Sequence, residues 1–197
     1  MGLAGVLLAL GLGFPTAAIL ISVGLLVAGL SIRIRGARLL RNEDAEPLDP
    51  VRDPRLANLV EGLVARLGVS APAVWVSPGE VPNAAAVWRG GPQLLLRRGL
   101  LGAFSRTELE AVVAFLLVVH ATGEARRAAW RFGEAGPGSS VVGALDVAAV
   151  AVTRYPPAYS SALRKVVGEG AFGGAVWFVP SGAEAAADAR ASAVADL

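Results

Sequence analysis

No charged side chain occurs over positions 2–32 of this 197-residue chain. That run constrains the fold before anything else is read. As an α-helix it would measure about 46 Å at roughly 1.5 Å per residue. A bilayer's hydrocarbon core is about 30 Å thick. Pro15, just after Gly13 and Phe14, divides the run. Residues 3–14 are too few to span, whereas 16–32 are of span length. The expectation is one tilted or Pro-kinked transmembrane helix, with an N-terminal hairpin as the alternative. A cleaved signal peptide fits less well, because the apolar stretch lacks a basic lead-in and a small-residue cleavage pattern. Arg33, Arg35, Arg38 and Arg41 follow the run at once. By the positive-inside rule they place the rest of the chain in the cytoplasm of a cell-membrane protein, with lipid headgroups as their first partner. The expected organisation is an anchor over 1–34, a basic juxtamembrane segment and acidic linker over 35–53, and one domain over 54–197.

Composition removes several function classes. With no cysteine, neither disulfides nor thiolate metal sites are available. With one histidine, His120, no mechanism needing two imidazoles from this chain is open. A net charge of +2 gives no reason to expect nucleic acid as a partner.

The domain reads as helices around a few strands. Asp53-Pro54 has the form of an N-cap followed by proline at the first helical position. Leu56, Leu59, Val60, Leu63, Val64 and Leu67 then make one apolar face, and Gly68 is a stop. Ala73–Ser77 reads as a strand, and 84–89 with 93–97 as a hairpin about Gly90-Gly91-Pro92. Ser105 and Glu108 form a capping box. The helix they open becomes apolar all round before His120, so it is buried. Residues 133–140 read as a loop, 141–152 as an apolar helix interrupted by Asp146, 156–167 as a helix, 175–179 as a strand and 183–197 as a terminal helix.

These segments together resemble the HtpX-like membrane zinc metallopeptidases, metallopeptidase family forty-eight. The resemblance lies in Pro82-Asn83-Ala84, in Gly99-Leu100-Leu101, and above all in Phe104-Ser105-Arg106-Thr107-Glu108-Leu109-Glu110-Ala111-Val112-Val113-Ala114. Tyr155-Pro156-Pro157-Ala158 and Ala175-Val176-Trp177-Phe178-Val179-Pro180 continue it in the same order. It implies an α+β, zincin-like fold, mostly helical with a small sheet, and a setting in membrane protein quality control. It also implies that the lead-in continues as H-E-x-x-H. Two histidines at i and i+4 would share a helix face and bind zinc, with the glutamate activating the bound water. Phe115, Leu116 and Val119 stand at those positions here. The third ligand would fall at Val142, four residues before Asp146. None of these side chains has a lone pair for a metal. The resemblance therefore implies a degenerate member with no bound cofactor. Asn83, Ala84 and Trp88 would belong to an edge strand that could bind an extended polypeptide by strand addition.

Other readings remain open at this level. The chain could be an assembly subunit using the fold only as a packing surface for a membrane protein partner. It could also be a zinc endopeptidase with a non-standard site, built from His120, Glu124 and Asp146 or completed by a partner. The plainer reading makes His120 a helix-end histidine meeting carbonyls and pairs Asp146 with Arg126, Arg127 or Arg154. Trp75, Trp88, Trp130 and Trp177 read as core or membrane-interface residues. Ser139-Ser140 has no base nearby.

Overall fold

The structure is a computed structural model that describes residues 14–131, 139–168, 174–195 and 197. Helix α1 (Phe14–Asn42) carries the apolar run onward without a break at Arg33. Ile19, Leu25, Leu26 and Leu30 point outward from it, as a lipid-facing surface requires. From Phe14 to Ile32 it is about 28 Å long, close to a hydrocarbon core. The hairpin alternative depends on residues 1–13, outside the described residues.

The stretch 35–53, expected as juxtamembrane segment and linker, is built into the fold. Leu39 and Leu40 of α1 are buried. Glu46–Pro47 form strand β1, and the Leu48 N–H donates to the Val74 carbonyl at 2.9 Å. Helix α2 (Pro54–Leu67) starts at the expected proline and ends at Gly68, whose φ of 64° is left-handed. Asp53 does not cap it through its side chain. That carboxylate instead pairs with Arg98 at 2.9 and 3.1 Å, because a bidentate guanidinium is the stronger partner.

Strands β2 (Ala73–Ser77), β3 (Ala84–Trp88), β4 (Pro92–Arg97) and β5 (Ala175–Trp177) complete a five-stranded sheet of order β1-β2-β4-β3-β5. The expected hairpin is β3 with β4, Ala84 opposite Leu96 and Trp88 opposite Pro92. β2 runs parallel to β4, and β5 lies antiparallel to β3.

Helices α3 (Arg98–Ala103), α4 (Arg106–Ala121), α5 (Glu124–Trp130), α6 (Ser139–Thr153), α7 (Pro156–Lys165) and α8 (Glu184–Ala195) supply the remainder. Ser139 and Ser140, read from sequence as loop, open α6; residues 133–138 of that loop lie outside the described residues. α7 ends two residues before the expected Val167.

The alternation of the strands divides the core. Val76, Ala84, Ala86, Leu94, Leu96 and Val176 face a helical layer centred on α4. Ala85, Val87, Leu95, Ala175 and Trp177 face Leu39 and Leu40 of α1. The sheet is thus covered on both faces, which is why β3 is apolar throughout and has no polar alternation. The capping box forms as expected: the Glu108 N–H donates to Ser105 Oγ, and the Ser105 N–H donates back to Glu108 Oε2. It starts α4 where the central helix must enter the core.

Candidate functional site

Phe115, Leu116 and Val119 lie in the middle of α4 with no exposed surface at all. Phe115 and Val119 share a face, one turn apart. Phe115 meets the ring of Phe178 edge-on, with centroids 5.2 Å apart. Phe178 in turn meets Tyr159 edge-on at 5.6 Å. The Arg190 guanidinium carbon lies 5.5 Å from the centroids of both Phe115 and Phe178. The positive charge beside position 115 is therefore the protein's own.

Arg190 reaches this point from α8. It donates from Nε and Nη2 to the two oxygens of Asp146, each at 2.7 Å, and from Nη1 to the Phe178 carbonyl at 2.6 Å. Tyr159 donates its hydroxyl to Asp146 Oδ1 at 2.6 Å. The sequence reading of Asp146 as a partner of Arg126, Arg127 or Arg154 is corrected. Its partners are Arg190 and Tyr159, because only these reach a carboxylate buried this deeply. Burial, and then the Asp146 charge, push the Tyr159 hydroxyl well above its ordinary value. Burial works against the Arg190 cation, but its bonds to Asp146 and that carboxylate's charge outweigh it and raise its pKa.

Val142 is half-buried on α6. It shares a helix face with Asp146, and both line a cavity of about 480 Å³ with Arg190, between α6 and α8. Phe115 and Val142 thus both neighbour one buried ion pair. Nothing polar remains at either position to hold a metal ion. Phenyl, isobutyl and isopropyl groups have no donor atom, so these four residues do not fit zinc.

The three polar candidates are not brought together. His120 Nε2 lies 2.9 Å from the Gln93 carbonyl; a carbonyl only accepts, so Nε2 carries the proton. Burial lowers the pKa of the ring, against the opposing pull of that carbonyl. Glu124 pairs with Arg127 one turn on, and Asp146 is committed to Arg190. Among the described residues, no three of His, Asp and Glu are grouped to hold a metal ion.

The edge-strand reading of Ala84–Trp88 is also corrected. β3 is interior, bonded to β4 on one side and β5 on the other. Asn83 and Ala84 have no exposed surface. Asn83 Nδ2 donates to the Val179 carbonyl at 2.7 Å and the Val167 carbonyl at 3.2 Å, and Oδ1 accepts from the Ala84 N–H. It ties the start of β3 to the segments flanking β5. Trp88 is half-buried, its ring 6.5 Å from that of His120.

Glu108 does more than cap α4. Lys165 and Ser161 of α7 donate to its carboxylate. Burial opposes ionisation, but the bonds from Lys165, Ser161 and Ser105 outweigh it and hold the group at about 2. This cluster had a local signal for the cap only. Arg190 had a weak one, as the single basic residue of an alanine-rich stretch.

A mixed helix-and-sheet domain behind one long apolar N-terminal helix, with a central helix whose middle is apolar and buried, is the class these observations define. Its likenesses lie among proteins named as protease HtpX homologs. The chain is 38% identical to the "Protease HtpX homolog" of Dictyoglomus turgidum over 71 residues, 34% of this chain and 23% of that protein. It is 34% identical to the homolog of Sulfurovum sp. over 79 residues, 39% of this chain and 29% of that one. For Gemmatimonas aurantiaca the identity is 32% over 120 residues, 57% and 42% of the two chains. The match thus spans less than half the length of each of these relatives. No family model matches the chain, and no solved structure does. These likenesses support a relation to HtpX-type proteases, and α1 is long and apolar enough to cross a membrane.

Proposed function

We propose that the chain is a membrane-anchored, non-catalytic homologue of the HtpX-type zinc metallopeptidases, with a zincin-like domain facing the cytoplasm. The observation that carries this reading is the packing of Phe115, Leu116 and Val119, all fully buried where the resemblance puts the two zinc ligands and the general base. Each such side chain contributes roughly 1.5–3 kcal/mol to the core when buried. A site that had merely lost a ligand would instead keep unpaired polar groups. The Arg190–Asp146 pair beside Phe115 supports the same reading, since its charges are already compensated by one another.

The interior position of β3 favours a packing role, in assembly with a membrane protein partner or regulation of an active protease, over capture of a polypeptide by addition to β3. The test is proteolysis by the full chain in vesicles, with zinc supplied and an unfolded protein as substrate. No cleavage is expected. Cleavage that is stopped by a chelator and by His120→Ala overturns the reading and restores a zinc endopeptidase.

A further inference from the structure

Ile32 is the last residue of the uncharged run, and it is already packed by the domain, 4% exposed. A helix that enters the domain at the residue where it leaves hydrocarbon has no slack. Whatever flanks α1 at residues 32–36 is therefore held at headgroup level.

Two pieces of the domain flank it there. One is the turn between β3 and β4. A Cβ added at Gly36 would lie 3.1 Å from Arg89 Cβ and 3.2 Å from the Trp88 carbonyl oxygen. One added at Gly90 would lie 3.6 Å from Arg33 Cγ. Arg89, at the start of the turn, is exposed. The other piece is the end of α5, whose Ala129 lines a narrow gap with Ile32, Arg35 and Gly36. The next residue, Trp130, is 44% exposed. Arg126, one turn before Trp130 on the same face, is exposed too.

We infer that the β3–β4 turn and the end of α5 form a second membrane contact, which takes the phosphate of anionic phospholipid headgroups and holds the domain flat against the bilayer. Tryptophan prefers the membrane–water interface, its ring among acyl ends and its N–H in water. Guanidinium groups bind phosphate through paired N–H donors. Arg33 and Arg89 at the β3–β4 turn, with Arg126 and Trp130 at the end of α5, supply both chemistries beside the same stretch of α1. The inference rests on α1 crossing the bilayer and is independent of the metal site.

The absence of cysteine gives a direct test. The full chain carrying Trp130→Cys is labelled with a fluorophore and reconstituted in phosphatidylcholine vesicles with and without phosphatidylglycerol. A nitroxide lipid labelled at the headgroup should quench the label, and aqueous iodide should not, most clearly with phosphatidylglycerol present. Arg89→Glu and Arg126→Glu should each lower the docked fraction by about fivefold or more. An Arg126→Cys label, with Trp130 kept, should respond alike. A label open to iodide overturns the inference. So does one reached by neither quencher, which would mark a protein contact instead.

Discussion

Asp146 spends both carboxylate oxygens on partners inside the core: Arg190 takes each one, and Tyr159 shares Oδ1. Removing one member of such a buried pair leaves the other charge without compensation, at a cost of about 3–5 kcal/mol. Asp146→Asn and Arg190→Met should each lower the melting temperature sharply, and the double variant should lose less than the sum of the two. Tyr159→Phe removes one bond from a carboxylate still held by Arg190, so its cost should be near 1 kcal/mol. Glu108 gives a pH-dependent prediction. Its folded pKa is about 2, below the ordinary 4.5. Its stabilisation is therefore present above 4.5 and is lost as pH falls towards 2. Melting curves of the wild type and Glu108→Gln should differ by about 1–3 kcal/mol at neutral pH and converge in acid. The capping half of the Glu108 role was legible because Ser105 and Glu108 are three residues apart. The Lys165 half, and the Asp146–Arg190 pair, join residues far apart in sequence, where spacing carries no information.

Local signals marked the elements well wherever one residue sets the backbone. Pro54 and Gly68 bound α2, and Gly90-Gly91 turn the hairpin as expected. Gly99 is a sharper case that its sequence context did not reveal. A Cβ there would lie 1.8 Å from the Glu80 carbonyl oxygen. Gly99→Ala must push α3 away from the segment before β3, and should destabilise the domain by about 1–3 kcal/mol, read as a lower melting temperature with the helical spectrum retained. The pairing of β5 with β3 was not legible. Three residues carry too little pattern, and their partner lies far back in the chain. The unbroken small apolar run at 84–87 did hold the clue, since a strand exposed at an edge alternates with polar residues. Likewise Leu39 and Leu40, both about two turns past Ile32, signalled that α1 continues into the domain rather than ending in a linker.

At the scale of the molecule, α1 and the domain are one piece. The guanidinium of Arg97 on β4 grips Glu43, just beyond α1, at 2.7 and 2.9 Å, while lying 5.3 Å from the Trp177 ring centroid. The sheet is thereby held against the end of α1, and α4 sits in the middle of the layer behind it. Sequence alone conveyed the long apolar N-terminal helix, the mostly helical character and the apolar centre of α4, because hydrophobic runs and caps are local. It did not convey which side of the sheet the anchor covers, since that depends on register. The claim that joins these features is that the heart of the domain is a packed hydrocarbon core where a metal centre would otherwise be. The most direct measurement is the zinc content of the full chain, purified in mild detergent with zinc present and then dialysed. The account predicts far less zinc than protein. Equimolar zinc that survives dialysis and is lost with His120→Ala would contradict it.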